Sequence, residues 1–125
     1  MVPIASILIV DDENSIRAIL KFQLAKAGHE VIEAKDGEAG VRAAVTERPD
    51  LILMDIQLPL LDGYEATRRI KADPALQAIP IIVVTSYALS GDEVEAREAG
   101  CDAYVPKPYS PRQLLAKIRE FLPTS

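Results

Sequence analysis

Asp11, Asp12, Asp55, Thr85 and Lys107 are the residues whose types and placement could do chemistry together. The apolar run Ile7-Leu8-Ile9-Val10 leads straight into Asp11 and Asp12, and Leu51-Ile52-Leu53-Met54 leads into Asp55. Ile81-Ile82-Val83-Val84 leads into Thr85, and Lys107 follows Ala103-Tyr104-Val105 and Pro106. Four apolar residues between polar ones fit a strand buried on both faces of a sheet. Packing alone gives no reason for an acid at the end of such a strand. If the runs are parallel strands, their C-terminal ends share one edge, where open α/β sheets place their ligand sites. Three carboxylates, a hydroxyl and an ammonium are then expected to converge there, while Asp36, after the second strand, falls outside the set.

Carboxylates a few ångströms apart repel by about 4 kcal/mol per pair at an effective dielectric of 20. Lys107 relieves part of that, and a divalent cation would relieve more. Oxygen ligands with few other donors favour Mg²⁺, with Mn²⁺ able to substitute, and no histidine or cysteine stands near enough in sequence to suggest zinc. A carboxylate beside Mg²⁺, a hydroxyl and a lysine is a set for phosphoryl transfer, in which the carboxylate attacks phosphorus and cations neutralise the phosphoryl oxygens. Asp55 is the expected nucleophile, giving an aspartyl phosphate. Asp11 and Asp12 are the expected metal holders, and Thr85 and Lys107 the expected contacts of the phosphoryl oxygens.

The elements that must carry these residues alternate. After the first strand, Ile16, Leu20, Leu24 and Ala27 have near-helical spacing, with Asn14 or Ser15 as the expected N-cap and Gly28 as the stop. Glu30 to Ala34 is a short strand. Asp36-Gly37 opens a helix to about Glu47, ended by Pro49. A strand over Asp50 to Met54 follows. Pro59 and Asp62-Gly63 mark a loop, and Asp62 with Glu65 starts a helix to about Lys71. Asp73-Pro74 breaks it before the strand that ends at Thr85. Ser90 and Glu93 are expected to cap a polar helix stopping at Gly100, and Ser110-Pro111 with Gln113 to start the last helix, whose apolar face is Leu114, Leu115, Ile118, Phe121 and Leu122. Five strand–helix alternations without repeats or linkers imply one α/β domain over 1–125, with a parallel sheet, right-handed crossovers and helices on both faces.

The 125 residues are enough for one real core. Hydrophobic residues make up 49% and charged ones 26%, which argues against disorder. A net charge of -5 disfavours direct nucleic-acid binding. The single Cys101 cannot form an internal disulfide, and the N-terminal apolar run is too short for a signal peptide or a membrane span. A cytoplasmic protein without membrane contact is the expectation. His29 and Cys101 read as structural residues, and Met1 with the short tail Pro123-Thr124-Ser125 favours a stand-alone protein over a piece of a larger regulator.

Asp11-Asp12, Met54-Asp55-Ile56-Gln57-Leu58-Pro59 with Asp62-Gly63, then Thr85, Tyr104 and Lys107-Pro108 resemble, jointly and in order, the receiver domains of two-component response regulators. The likeness covers essentially the whole chain and is nearest to stand-alone receivers of the DivK type. It implies a flavodoxin-like receiver fold, a five-stranded parallel sheet in the order 2-1-3-4-5. It implies that Asp55 takes a phosphoryl group from a phosphohistidine on a histidine kinase or a histidine phosphotransfer protein, as in a phosphorelay. The same likeness assigns Mg²⁺ to Asp12, to Asp11 through water, to Asp55 and to the backbone carbonyl of Gln57. A cis peptide is implied at Lys107-Pro108.

The resemblance also implies a switch. Thr85 moves toward the new phosphoryl group, Tyr104 swings into the vacated space, and the face of the fourth helix, fifth strand and fifth helix changes for a downstream effector protein. Leu89, Tyr104, Pro106 and Tyr109 are the expected residues of that face. Kinase docking is implied around Asn14 to Ala18 and Tyr109. A monomer is expected, with dimerisation on phosphorylation as the alternative. Gln57 and Tyr87 flank the approach to Asp55, and since neither can act as a general base they are expected to slow hydrolysis. Ser86 stands where the family more often has alanine or glycine. The chain is thus expected to catalyse only its own phosphorylation and dephosphorylation. A Mg²⁺-dependent phosphatase with an aspartate nucleophile commonly carries a second acid two residues on, where this chain has Gln57. A nucleotide- or flavin-binding domain would need a glycine-rich loop after the first strand, where this chain has three acids.

Overall fold

The computed structural model describes residues 5–56, 58, 61–85 and 92–122. In chain order the elements are β1 (Ser6–Val10), α1 (Asn14–Lys26), β2 (Glu30–Ala34), α2 (Gly37–Glu47), β3 (Leu51–Asp55), α3 (Gly63–Ala72), β4 (Ile81–Thr85), α4 (Asp92–Glu98), β5 (Ala103–Pro106) and α5 (Pro111–Phe121). The strands form one sheet in the order β2-β1-β3-β4-β5, and every neighbouring pair is parallel. The reversal of strand order beside β1 creates the crevice at which such sheets bind ligands.

Period-two alternation sorts the strand residues into two layers. Leu8, Val10, Ile52, Met54, Ile81 and Val83 pack with residues of α2, α3 and α4, including Ala44, Ile70 and Ala96. Their neighbours in sequence, Ile7, Ile9, Leu51, Leu53, Ile82 and Val84, pack with Leu20 and Leu24 of α1 and with Leu114 and Ile118 of α5. Both faces of β1, β3 and β4 are therefore dry, which is why these strands read as continuous apolar runs.

Several helix ends follow the expected chemistry. The Asp36 carboxylate accepts from the Ala39 N–H at 2.7 Å and the Asp62 carboxylate from the Glu65 N–H at 2.9 Å. Ser110 and Gln113 form a reciprocal capping box, with Pro111 in the first turn. The start of α1 departs from expectation. Its N-cap is Glu13, not Asn14 or Ser15, and no side chain caps it. Asn14 is already helical, and its side-chain oxygen accepts from Arg17. At the end of α2, Arg48 adopts a left-handed conformation with φ 46°. Pro49 disfavours right-handed helical geometry at the residue before it, which accounts for the break.

The third strand starts at Leu51 and includes Asp55, one residue later than the sequence indicates. Asp50 is instead a brace, its carboxylate accepting from the Ser6 N–H at 2.8 Å and its own N–H donating to the Ser6 carbonyl at 2.7 Å. Pro106 ends β5 at the edge of the sheet, where a missing donor is tolerated. The expected cap residue Ser90 lies outside the described residues. Among the described residues, no helix is long and apolar enough to cross a membrane.

Candidate functional site

Register alone brings the acids together. Val10 pairs with Met54, so the residues that follow, Asp11 and Asp55, leave adjacent strands side by side. Asp55 pairs with Val84 on the other flank, which puts Thr85 one step beyond it at the same sheet end. One carboxylate oxygen from each of Asp11, Asp12 and Asp55 lies within 4.8 Å of the others. Asp11 and Asp55 are only 4% and 8% exposed, whereas Asp12 faces solvent.

The Lys107 ammonium stands 3.8 Å from a carboxylate oxygen of Asp11 and 3.8 Å from one of Asp55. A main-chain hydrogen bond fixes where it enters. The Lys107 N–H donates to the Thr85 carbonyl at 2.6 Å, extending the β4–β5 ladder past Pro106, and the Lys107-Pro108 peptide is cis. At 4.8 Å each pair of carboxylates repels by about 3.5 kcal/mol at an effective dielectric of 20. One ammonium cannot cancel three such pairs. Asp11 shows the balance. Burial lifts its carboxyl above the ordinary range, Asp12 and Glu13 push the same way, and the Glu13 N–H and Lys107 offset only part. The Glu13 N–H donates to the Asp11 carboxylate at 2.9 Å, so Glu13 supports the cluster through its backbone.

Three carboxylates at one mouth, half buried and incompletely neutralised, could hold a divalent cation that prefers oxygen. Their chemistry does not fit a soft metal. Asp36, left outside the set, caps α2. Cys101 is buried and its thiol is pushed up by burial, so it packs as a small core residue.

Of the residues singled out in the sequence, Asp11, Asp12, Asp55 and Lys107 meet in one cluster. Thr85 is fully buried at the end of β4. Tyr104 is half-buried on β5 opposite Val83, two pairs before the Thr85 level. Gln57, Ser86, Tyr87 and Leu89 lie outside the described residues. Tyr109, expected at the docking surface, and Arg17, within the Asn14 to Ala18 stretch expected there, also stand beside the acid cluster, which the sequence does not mark. The Tyr109 phenol is pushed up by burial, with Asp11 and Asp55 adding to the effect, so it belongs to the rim of the acid cluster. Arg17 of α1 donates to the main-chain oxygen of Asp11 at 2.5 Å. An arginine six residues beyond an acid, on the following helix, is too common to mark such a contact in advance.

Beside the cluster runs an apolar groove of about 340 Å³ between α1 and the segment following β5. Ile16, Ile19 and Gln23 form one wall and Pro108, Tyr109 and Pro111 the other, with Lys107 at the end nearest the acids. Ile19 and Phe22, large apolar side chains on the same helix, are 55% and 69% exposed.

Comparison with known proteins agrees with this geometry. The family model of the response regulator receiver domain matches residues 7–119. DivK, the polar-differentiation response regulator of Brucella anthropi, is 39% identical over 117 residues, covering 94% of this chain and 95% of that protein. PhoP, the alkaline phosphatase synthesis transcriptional regulatory protein of Bacillus subtilis, is 40% identical over 116 residues, 93% of this chain. The match spans only 48% of PhoP, about half the length of that relative. Among solved structures, the receiver domain of a sensor histidine kinase from Pseudomonas aeruginosa superposes with a TM-score of 0.88 at 36% identity, over 95% of this chain and 98% of that one. It carries a magnesium ion coordinated in its active site cleft. Chemotaxis protein CheY4 of Vibrio cholerae gives a TM-score of 0.90 at 29% identity, over 96% of this chain and all of that one (100%).

Proposed function

The chain belongs to the response regulator receiver family, signalling modules of two-component systems, and from that membership we propose a phosphorylation-dependent switch with Asp55 as phosphoacceptor. The observation that carries the reading is the meeting of Asp11, Asp12 and Asp55 within 4.8 Å, with Lys107 3.8 Å from two of them. Asp55 sits at the mouth on a strand buried over its whole length, so its backbone is held rigidly.

In the proposed reaction a carboxylate oxygen of Asp55 attacks the phosphorus of a phosphohistidine. A P–O bond forms, the P–N bond breaks, and the imidazole leaves with the electron pair. The product is an acyl phosphate on the chain itself. Mg²⁺, held by Asp11, Asp12, Asp55 and the carbonyl of Gln57, would supply charge neutralisation for the phosphoryl oxygens. Lys107 orients the entering group and pairs with it afterwards. The buried Thr85 hydroxyl is the proposed contact for another phosphoryl oxygen, and Tyr104 follows the movement of Thr85. A few kcal/mol of new charge-assisted hydrogen bonding is enough to shift a two-state equilibrium. The output is then a changed surface over α4, β5 and α5 that a downstream effector protein reads.

The proposed phosphodonor, a histidine kinase or a histidine phosphotransfer protein, docks on the groove between α1 and Pro108-Tyr109. Its support is position, since an apolar surface ends at the Lys107 ammonium and the acids beyond it. Incubation with a small phosphodonor and Mg²⁺ tests the reading. The wild type should gain one phosphoryl mass while Asp55→Asn does not. Failure of the wild type to label, or equal labelling of both, would refute it.

A further inference from the structure

The loop Asp11–Glu13, between the end of β1 and the first turn of α1, carries two of the three clustered carboxylates. The Asp11 N–H makes a last sheet-edge bond to the Ala34 carbonyl at 3.1 Å. From there the side chain of Arg17, which is only 12% exposed, holds the loop by its main chain. Its Nη1 donates to the main-chain oxygen of Asp11 at 2.5 Å, its Nη2 to Asn14 Oδ1, and its Nε to Glu33 Oε1 on β2 at 3.4 Å. Its backbone N–H donates to the Glu13 carbonyl at 3.1 Å. Arg17 thus grips the loop at its first and last residues and ties it to the neighbouring strand. Glu33 is itself braced by Lys21 at 3.4 Å.

The bond to the Asp11 carbonyl has a specific consequence. That oxygen belongs to the peptide unit joining Asp11 to Asp12. Fixing the plane restricts ψ of Asp11 and φ of Asp12, and so the angle between their side chains. We propose that Arg17 is a positioning residue for the cation site, its guanidinium fork fixing the Asp11–Asp12 peptide so that both carboxylates are presented at Mg²⁺ spacing. The inference rests on the metal-dependent reading above. Mg²⁺ demands near-octahedral ligands at about 2.0–2.1 Å, whereas Ca²⁺ accepts irregular geometry at about 2.3–2.6 Å. Loosening the peptide should therefore weaken Mg²⁺ more than Ca²⁺. A fork engaging a carbonyl, an amide oxygen and a carboxylate cannot be replaced by a single ammonium.

The test is titration of the whole chain with Mg²⁺ and separately with Ca²⁺, followed by backbone amide shifts in the wild type, Arg17→Met, Arg17→Lys and Glu33→Gln. Arg17→Met should weaken Mg²⁺ binding about tenfold, as loss of an outer-shell support does elsewhere, and weaken Ca²⁺ binding less. Arg17→Lys should not recover the loss. Glu33→Gln, an exposed change expected to leave the fold intact, should weaken Mg²⁺ in the same direction by a smaller factor. Labelling by a small phosphodonor should slow at low Mg²⁺ and recover at saturating Mg²⁺. Equal Mg²⁺ affinity in the wild type and both Arg17→Met and Glu33→Gln, or an equal loss for both cations, would overturn the inference while leaving the function standing. Full recovery in Arg17→Lys would overturn it too, because charge and not the fork would then be responsible. A wild type that binds no Mg²⁺ would overturn both readings.

Discussion

Gly63→Ala should injure stability and the site at once. Gly63 opens α3 directly behind the strand that ends in Asp55, and its N–H donates to the Ile56 carbonyl at 3.0 Å. A Cβ at position 63 would lie 2.1 Å from the Asp55 carbonyl oxygen, 2.8 Å from the Ile56 Cα and 2.9 Å from the Asp55 carbonyl carbon. All three are main-chain atoms, so no flexible side chain can yield. Reaching ordinary contact needs roughly 1 Å of backbone movement, and overpacking of this kind costs about 3 kcal/mol. For a domain of this size that corresponds to a fall in Tm of about 10 °C. The movement falls on the peptide of Asp55, and a 1 Å misplacement of a reacting group costs about 10²-fold in rate. Thermal unfolding followed by circular dichroism, and the initial rate of labelling by a small phosphodonor well below the variant's Tm, check the two effects. Gly28→Ala is the control. Gly28 has φ +97° and nothing within 4 Å of the added methyl, so it should lose only about 1 kcal/mol of stability through backbone strain and label normally. A Gly63→Ala protein with Tm within 2 °C of wild type and an unchanged labelling rate would refute the reasoning.

At the opposite end of the sheet, the Lys71 ammonium donates to the carbonyls of Gln77 and Ile79 at 3.0 and 2.8 Å and meets the Asp102 carboxylate at 2.8 Å. Lys71→Met should cost about 2 kcal/mol, some 8 °C in Tm, without slowing labelling of the folded protein; a Tm change under 2 °C would contradict it. Asp11→Asn should raise Tm at pH 7 in metal-free buffer. Because burial and the neighbouring acids raise the folded carboxyl's pKa, its contribution to stability is fully present below the unfolded value and lost as pH rises through the folded one. The advantage of asparagine should therefore shrink as pH falls toward 4, and Mg²⁺ should stabilise the wild type more than the variant. An advantage that grows on acidification would contradict the sign.

Much of this molecule was legible because its chemistry is tied to strand ends. Buried parallel strands announce themselves as apolar runs, and a parallel sheet then forces the residues after each run to one edge. Asp11, Asp55, Thr85 and Lys107 could be grouped on that basis, and the strand boundaries at Asp50 and Pro106 were off by one residue. Contacts made across the chain were not legible. Lys71 and Asp102 lie 31 residues apart, and neither has a local pattern marking the bond. Arg17 reads as an ordinary helix-surface charge until the turn of the loop brings Asp11's carbonyl to it. Leu76 lies just after a proline break that suggests a loop, yet it is buried at 2% exposure because Asp73 folds the chain back through the Leu76 N–H and the Ala75 N–H. The Asn14 and Ser15 cap expectation failed for a similar reason. Arg17 already occupies the Asn14 side-chain oxygen that a cap would use.

The account turns on the identity of one modified atom. An acyl phosphate, unlike a phosphoserine or phosphothreonine, is reduced by borohydride, which converts an aspartyl phosphate to homoserine. The chain should be labelled by a small phosphodonor with Mg²⁺, reduced with borohydride, digested and sequenced by mass spectrometry. Homoserine at position 55 alone, absent when Mg²⁺ is chelated, is the result the account predicts. Homoserine at Asp11 or Asp12, or label that survives borohydride unchanged, would contradict it.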